Sequence, residues 1–377
     1  MYYLDYAATT PISENVIKKI TTVMKYNWGN PSSIHDKGNE AQVTLEDCRA
    51  TIAKIINARA EHVFFTSGAS EGNSWVLESL KHLDDESQRR VIISSRAEHA
   101  SVINKLKEMA HQGYIILYVE DFEGDSLTEK VKHIAKYVED KIAIVSLMLV
   151  NNETGNISEL ESVYSFCKQH GILLHTDATQ AMPHMKVTAD MADIITCSAH
   201  KFFGPKGIGF VYSKYIDFLS PLIYGGKQER YLRGGTQNLP AIAGMTVALE
   251  DTVSNEWACQ QNTEALKKTF MEKLNSEIDG VYFHSDVNCI PTINLYIDNV
   301  SGEVLNALLN KKGLYVSTSS ACSSGATEPS HVLQALGYSD LVAANSIRIS
   351  FSSKLNEWEI EEITQIIKRC VEFLRGY

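Results

Sequence analysis

The chain has 377 residues, 44% hydrophobic and 21% charged, the proportions of an ordinary globular protein long enough for two domains. Its 46 acidic and 35 basic residues give a net charge of −11, which argues against broad electrostatic binding of nucleic acid. The opening Met1-Tyr2-Tyr3-Leu4-Asp5 is no positively charged leader, and no apolar run has membrane-spanning length, so neither secretion nor a membrane anchor is expected.

Short apolar runs predict strands at 63–66, 91–94, 115–118, 142–149, 172–175, 194–198 and 208–212. Helical spacing separates several of them, as over 70–80 and in Leu160, Val163, Tyr164 and Cys167. Near-continuous apolar strands alternating with helices specify an α/β fold. Its large domain holds a mainly parallel seven-stranded sheet covered by helices, and sites gather at the carboxyl ends of its strands. After about residue 240 the pattern changes to a long polar helical stretch over 241–278 and strands near 281–283 and 292–296. A helix near 303–310, a serine-rich loop, a strand at 347–351 and an amphipathic helix from Glu357 follow. These predict a large domain over 13–256 and a smaller α+β domain made of 1–12 and 257–377, carrying Cys322.

The chemistry concentrates at two strand ends. Asp177 closes the run His175-Thr176-Asp177, and Lys201 follows Ser198-Ala199-His200 ahead of the glycine-rich 202–209. A strand-end lysine and carboxylate are what pyridoxal phosphate requires: the amine forms a Schiff base, and the carboxylate keeps the pyridine nitrogen protonated. Ser67-Gly68-Ala69-Ser70 links a strand to a helix start, where backbone N–H groups and the helix dipole suit a phosphate, although Ser70 as a simple cap is the competing reading. Ser198, His200 and Thr236 are further candidate phosphate donors, Thr236 reaching over from a partner subunit.

His99, in Arg96-Ala97-Glu98-His99, is placed to stack on the cofactor ring and pass protons. Asn152 and Gln180 offer amides to the cofactor's phenolic oxygen. Arg348, on an apolar strand, needs an anion: a substrate carboxylate, or a structural Asp or Glu. The seven cysteines are odd in number and lack CxxC spacing, which argues against a disulfide framework or structural zinc site and suggests a reducing cytoplasm. Six read as small core hydrophobes. Cys322 lies in a loop of small polar residues, a setting that suits a mobile thiolate nucleophile.

These motifs, with Leu4-Asp5-Tyr6-Ala7-Ala8-Thr9-Thr10-Pro11, Gly29-Asn30-Pro31-Ser32-Ser33, Val150-Asn151-Asn152-Glu153, Arg233-Gly234-Gly235-Thr236-Gln237-Asn238, Ser320-Ala321-Cys322 and Glu328-Pro329-Ser330, resemble the NifS/IscS-type cysteine desulfurases of the class V aminotransferase group. The resemblance implies a fold-type I pyridoxal 5′-phosphate enzyme and a homodimer that turns L-cysteine into L-alanine, with sulfur held as a persulfide on Cys322. It implies Lys201, Cys322 and His99 as catalytic groups. Cofactor contacts would come from Ala69, Ser70, His99, Asn152, Asp177, Gln180, Ser198, His200, Lys201 and Thr236, and substrate contacts from Asn30, Asn152 and Arg348. A sulfur-acceptor protein is the implied partner. Ala199 stands where the family has glycine, Ser70 where it has threonine, and Thr318-Ser319 lacks a common glycine. The match ends at Arg375-Gly376-Tyr377, without the tail by which housekeeping members dock the iron–sulfur scaffold, so tRNA thiolation and thiamin synthesis are equally open destinations. A related lyase, such as a selenocysteine lyase, is the competing enzyme. A sulfur-relay protein that has lost turnover is disfavoured by the intact Lys201, Asp177, His99 and Cys322.

Overall fold

The computed structural model describes residues 1–87, 89–255, 260–287, 290–318, 328–352 and 355–376, so Cys259, Cys289 and Cys322 lie outside the described residues. In chain order come β1 (Tyr2–Tyr3), α1 (Glu14–Tyr26), α2 (Asp36–Ile55), β2 (Val63–Thr66), α3 (Ala69–Ser87), β3 (Val91–Ser94), α4 (Ala100–His111) and β4 (Ile115–Tyr118). Then follow α5 (Leu127–Val138), β5 (Ile142–Ser146), α6 (Leu160–Gln169), β6 (Leu173–Asp177), β7 (Ile194–Ser198), β8 (Gly209–Ser213) and α7 (Leu239–Asn255). The C-terminal third holds α8 (Gln260–Glu277), β9 (Val281–Phe283), β10 (Thr292–Ile297), α9 (Gly302–Lys311), β11 (Leu314–Tyr315) and β12 (Ser317–Thr318). It ends with α10 (His331–Ala335), α11 (Asp340–Asn345), β13 (Ile347–Ser350) and α12 (Glu357–Arg375). Among the described residues no helix is long and apolar enough to cross a membrane.

Two compact units result, one of residues 11–149 and 158–257, the other of 1–10, 150–157 and 258–377. The first is built on a seven-stranded sheet of order β2-β8-β7-β6-β5-β3-β4. Its strands run parallel except β8, which is antiparallel to both β2 and β7. The strands are short and, apart from the edge strand β4, buried almost throughout, which is why they read as unbroken apolar runs rather than alternating ones. At the start of β8 a Cβ on Gly209 would lie 2.2 Å from the Cys197 carbonyl oxygen, so only glycine lets β8 close against β7 there. The predicted strand at 142–149 stops at Ser146. Leu147 and Leu149 still donate backbone N–H groups to the carbonyls of His175 and Asp177, so this stretch follows β6 beyond the regular ladder.

In the other unit a four-stranded sheet, β12-β13-β10-β9, is antiparallel throughout, and β1 pairs with β11 in a separate parallel ribbon. Ile293, Leu295, Ile347 and Ile349 from the four-stranded sheet pack with Phe270, Leu274, Ile363 and Ile367 from α8 and α12. The reading of 241–278 as a long polar helical stretch is corrected. Two helices occupy that range, and α7 is apolar, with Ile242, Ala243, Met245 and Leu249 fully buried. Helix α12 begins with a reciprocal capping box between Asn356 and Glu359 and ends at Gly376 in the left-handed conformation, the signals of a well-stopped helix.

Candidate active site

Parallel strands bring their carboxyl ends to one edge of the sheet, and candidate residues of the large unit lie at these ends. Asp177 is the last residue of β6, and its neighbour β7 runs parallel to it, with Asp177 opposite Thr196. Lys201 closes the single 3₁₀ turn that directly follows β7. The two sequence-predicted partners therefore leave adjacent parallel strands.

Asp177 is 7% exposed. Its Oδ2 accepts from Asn73 Nδ2 at 2.7 Å and its Oδ1 from the Thr179 backbone N–H at 2.9 Å. Both donors are neutral. Behind it His175 is fully buried, and burial pushes its imidazole down to about 4 against the opposing pull of Asp177, so it adds no compensating charge near neutrality. Gln180 is also buried, three residues past Asp177.

His99 is the N-cap of α4. Its Nδ1 accepts from the Ser101 backbone N–H at 3.1 Å and lies 2.8 Å from the Ser101 hydroxyl. The competing reading, a histidine satisfied at a helix start, is thus present in the structure. Glu98, beside it, was read only as part of the motif. It is 1% exposed, it accepts from Met148 N at 2.6 Å, and burial raises its carboxyl well above the usual range.

At the loop entering α3, Ala69 N–H donates to Ser198 Oγ at 2.7 Å, so two of the predicted phosphate donors meet each other. Ser70 is exposed at the start of α3. His200 is held down to about 4 by burial and by the cations of Lys201 and Lys206, which leaves a neutral ring able to offer one N–H. Arg233 pairs with Glu71 at 2.8 Å, fixing its segment beside the first turn of α3, while Thr236 stays exposed. Asn30 is exposed too, its Oδ1 accepting from Ser32 N at 2.9 Å.

The smaller unit holds its own polar cluster. Arg348, on β13, donates through Nη2 to Asp5 Oδ1 and through Nη1 to the Asn152 carbonyl, both at 2.8 Å. The structural carboxylate partner weighed in the sequence analysis is therefore present. The Nε of Arg348 and the Oδ1 of Asn152 are buried with no hydrogen-bond partner among the described residues, and those atoms keep a substrate role open. Glu153, 5% exposed, accepts from Ser330 Oγ at 2.5 Å, and burial raises its carboxyl to about 7.

Four cysteines are described: Cys48, Cys167, Cys197 and Cys370 are free and buried. Burial raises every one of their thiols, Cys167 to about 12. Such thiols are poor nucleophiles.

The class-V aminotransferase family profile covers residues 2–363. The cysteine desulfurase IscS of Dictyoglomus turgidum is 34% identical over 378 residues, spanning 99% of this chain and 95% of that protein. A solved NifS-like protein superposes with a TM-score of 0.88 at 30% identity, covering 98% of this chain and 99% of the other. SspA in complex with cysteine gives a TM-score of 0.78 at 28% identity over 94% of this chain and 99% of its own. With the strand-end pair in place and the likeness running nearly end to end, this chain belongs to the class-V aminotransferase family.

Proposed function

We propose that the chain is a pyridoxal phosphate-dependent cysteine desulfurase that releases L-alanine from L-cysteine and keeps the sulfur as a persulfide on Cys322. The observation that carries the reading is the buried, neutrally solvated carboxylate of Asp177 beside the strand-end Lys201. A carboxylate with two neutral donors fits a protonated ring nitrogen as its counter-charge. Class-V aminotransferases are pyridoxal phosphate enzymes. Bound at this edge, the cofactor supplies an aldehyde for a lysine amine and a ring that accepts electron density from the substrate Cα.

The residues divide the remaining work. Asp177 holds the proton on the ring nitrogen. Lys201 binds the cofactor, and its amine then takes the proton from the substrate Cα. His99 covers the ring and presents Nε2. The phosphate falls to Ala69, Ser70, Ser198 and His200, with Thr236 contributed by the partner subunit of a homodimer, and the ring oxygen to Asn152 and Gln180. Arg348 receives the substrate carboxylate through its remaining N–H groups, with Asn30 and Asn152 alongside. The Cys322 thiolate then bonds to the substrate sulfur. The Cβ–S bond breaks with its electron pair left toward carbon, and a proton completes the methyl group of alanine. The persulfide passes to an acceptor protein in the reducing cytoplasm, for tRNA thiolation, thiamin or iron–sulfur synthesis.

The test is incubation of the purified protein with cysteine, followed by alanine assay and peptide mass spectrometry. One added sulfur on the peptide holding Cys322, and neither alanine nor persulfide from Cys322→Ser, is the expected result. Undiminished alanine from that variant would promote the general-lyase alternative.

A further inference from the structure

Asn73 was not singled out by its sequence, yet the large unit's polar network converges on it. It is fully buried in the second turn of α3. Its Nδ2 donates to Asp177 Oδ2 at 2.7 Å and to Ser101 Oγ at 2.9 Å, and its Oδ1 accepts from Thr196 Oγ1 at 2.5 Å. One amide therefore uses two donor hydrogens and its acceptor on three different elements. The glycine before it makes this reach possible. A Cβ on Gly72 would lie 3.0 Å from both the Thr196 methyl and Val211 Cγ2, so α3 sits close against β7 and β8 at this point.

The hydrogens can be followed outward from Asn73. The Ser101 hydroxyl accepts from Asn73, so its own hydrogen is available to His99 Nδ1, 2.8 Å away. That nitrogen also accepts the Ser101 backbone N–H, and so it carries no hydrogen. The neutral ring of His99 is thereby fixed with its hydrogen on Nε2. On the other arm, Thr196 gives its single hydrogen to Asn73, which makes His175 Nε2 the donor across 3.3 Å and leaves His175 Nδ1 to accept from Ser146.

We propose that Asn73 is a positioning residue that orients the Asp177 carboxylate and, through the Ser101 hydroxyl, holds the ring of His99 in place. The inference rests on the functional reading above. Aspartate at this position would place a second carboxylate against Asp177, and an aliphatic side chain would leave Asp177, Thr196 and Ser101 short of partners in a buried site.

The experiment compares wild type, Asn73→Ala, Ser101→Ala and the double variant. It measures pyridoxal phosphate affinity of the apo-protein, the pH dependence of the bound cofactor's visible band, and kcat and KM for cysteine. A lost hydrogen bond to a charged group corresponds to roughly a tenfold to hundredfold effect. Asn73→Ala is expected to lose that much cofactor affinity and kcat, shift the band's pH profile, and keep KM within about twofold. Ser101→Ala keeps the backbone cap, so it should retain cofactor affinity while lowering kcat severalfold and altering its pH profile. The double variant should fall no further in kcat than Asn73→Ala. Wild-type affinity and band profile in Asn73→Ala would overturn the proposal. If Asn73→Ala does not fold, Ser101→Ala decides the His99 arm: an unchanged kcat profile overturns it. A wild-type protein that neither binds pyridoxal phosphate nor yields alanine would instead overturn the functional reading itself.

Discussion

Asp177 and Arg348 are the two buried charged residues on which the proposed chemistry rests, and the fold treats them in opposite ways. Asp177, in the large unit, receives amide donors from Asn73 and Thr179 among the described residues and sits in front of a histidine kept neutral by burial. Arg348, in the smaller unit, already has a carboxylate in Asp5 and a carbonyl in Asn152. A carboxylate held by neutral dipoles keeps its charge for something that arrives. An arginine with an internal counter-ion is pre-oriented and partly neutralised, so it has only its remaining N–H groups for a ligand.

The sharpest way to break this contrast is Asp177→Asn. Asparagine has one acceptor oxygen for the two donors Asn73 and Thr179 and holds no proton on a ring nitrogen. The expected result is a fall in kcat of about 10²–10³-fold. A variant with wild-type kcat would remove Asp177 from the chemistry.

Arg348→Lys tests the other side. An ammonium can keep a contact with Asp5 but cannot reproduce the planar fork, so KM for cysteine should rise roughly tenfold or more. Unchanged KM and kcat would make the Asp5 pairing the whole role of Arg348.

The smallest effect concerns Glu153, beside Ser330 in the same unit as Arg348. Its carboxyl ordinarily titrates at 4.5 and is raised to about 7, chiefly by burial, with the Ser330 hydrogen bond and Arg348 opposing. The folded state therefore favours the protonated form. The stability this confers is complete below about pH 4.5 and is lost as pH rises through about 7, an effect of up to about 3 kcal/mol. Glu153→Gln stays neutral, so its melting temperature should gain on wild type by a few degrees between pH 5 and pH 8. Parallel melting curves across that range would show an ionised Glu153 throughout.

The division between legible and hidden features follows the range of the interactions. Strands β2, β3 and β7 were readable to the residue because fully buried parallel strands are short apolar runs, the edge strand β4 because it too is an apolar run, and Asp177 and Lys201 stood out at the ends of such runs. The antiparallel insertion of β8 was not readable, since it depends on which strands meet. Nor was the Arg348–Asp5 pair, whose members are 343 residues apart. Asn73 looked like any polar residue early in a helix. Only Gly72, a helix-weakening residue beside it, hinted that this turn approaches the sheet. Glu98 was hidden by the more suggestive His99, and α7 was misread because its polar C-terminal residues were averaged with α8.

The central claim is that the adjacent strand ends carrying Asp177 and Lys201 form the cofactor site. Borohydride reduction of the protein with pyridoxal phosphate, followed by proteolysis and mass spectrometry, tests it directly. The account predicts one pyridoxyl group, on the peptide containing Lys201, and none in Lys201→Ala. A label on another lysine, or equal labelling of that variant, would contradict it.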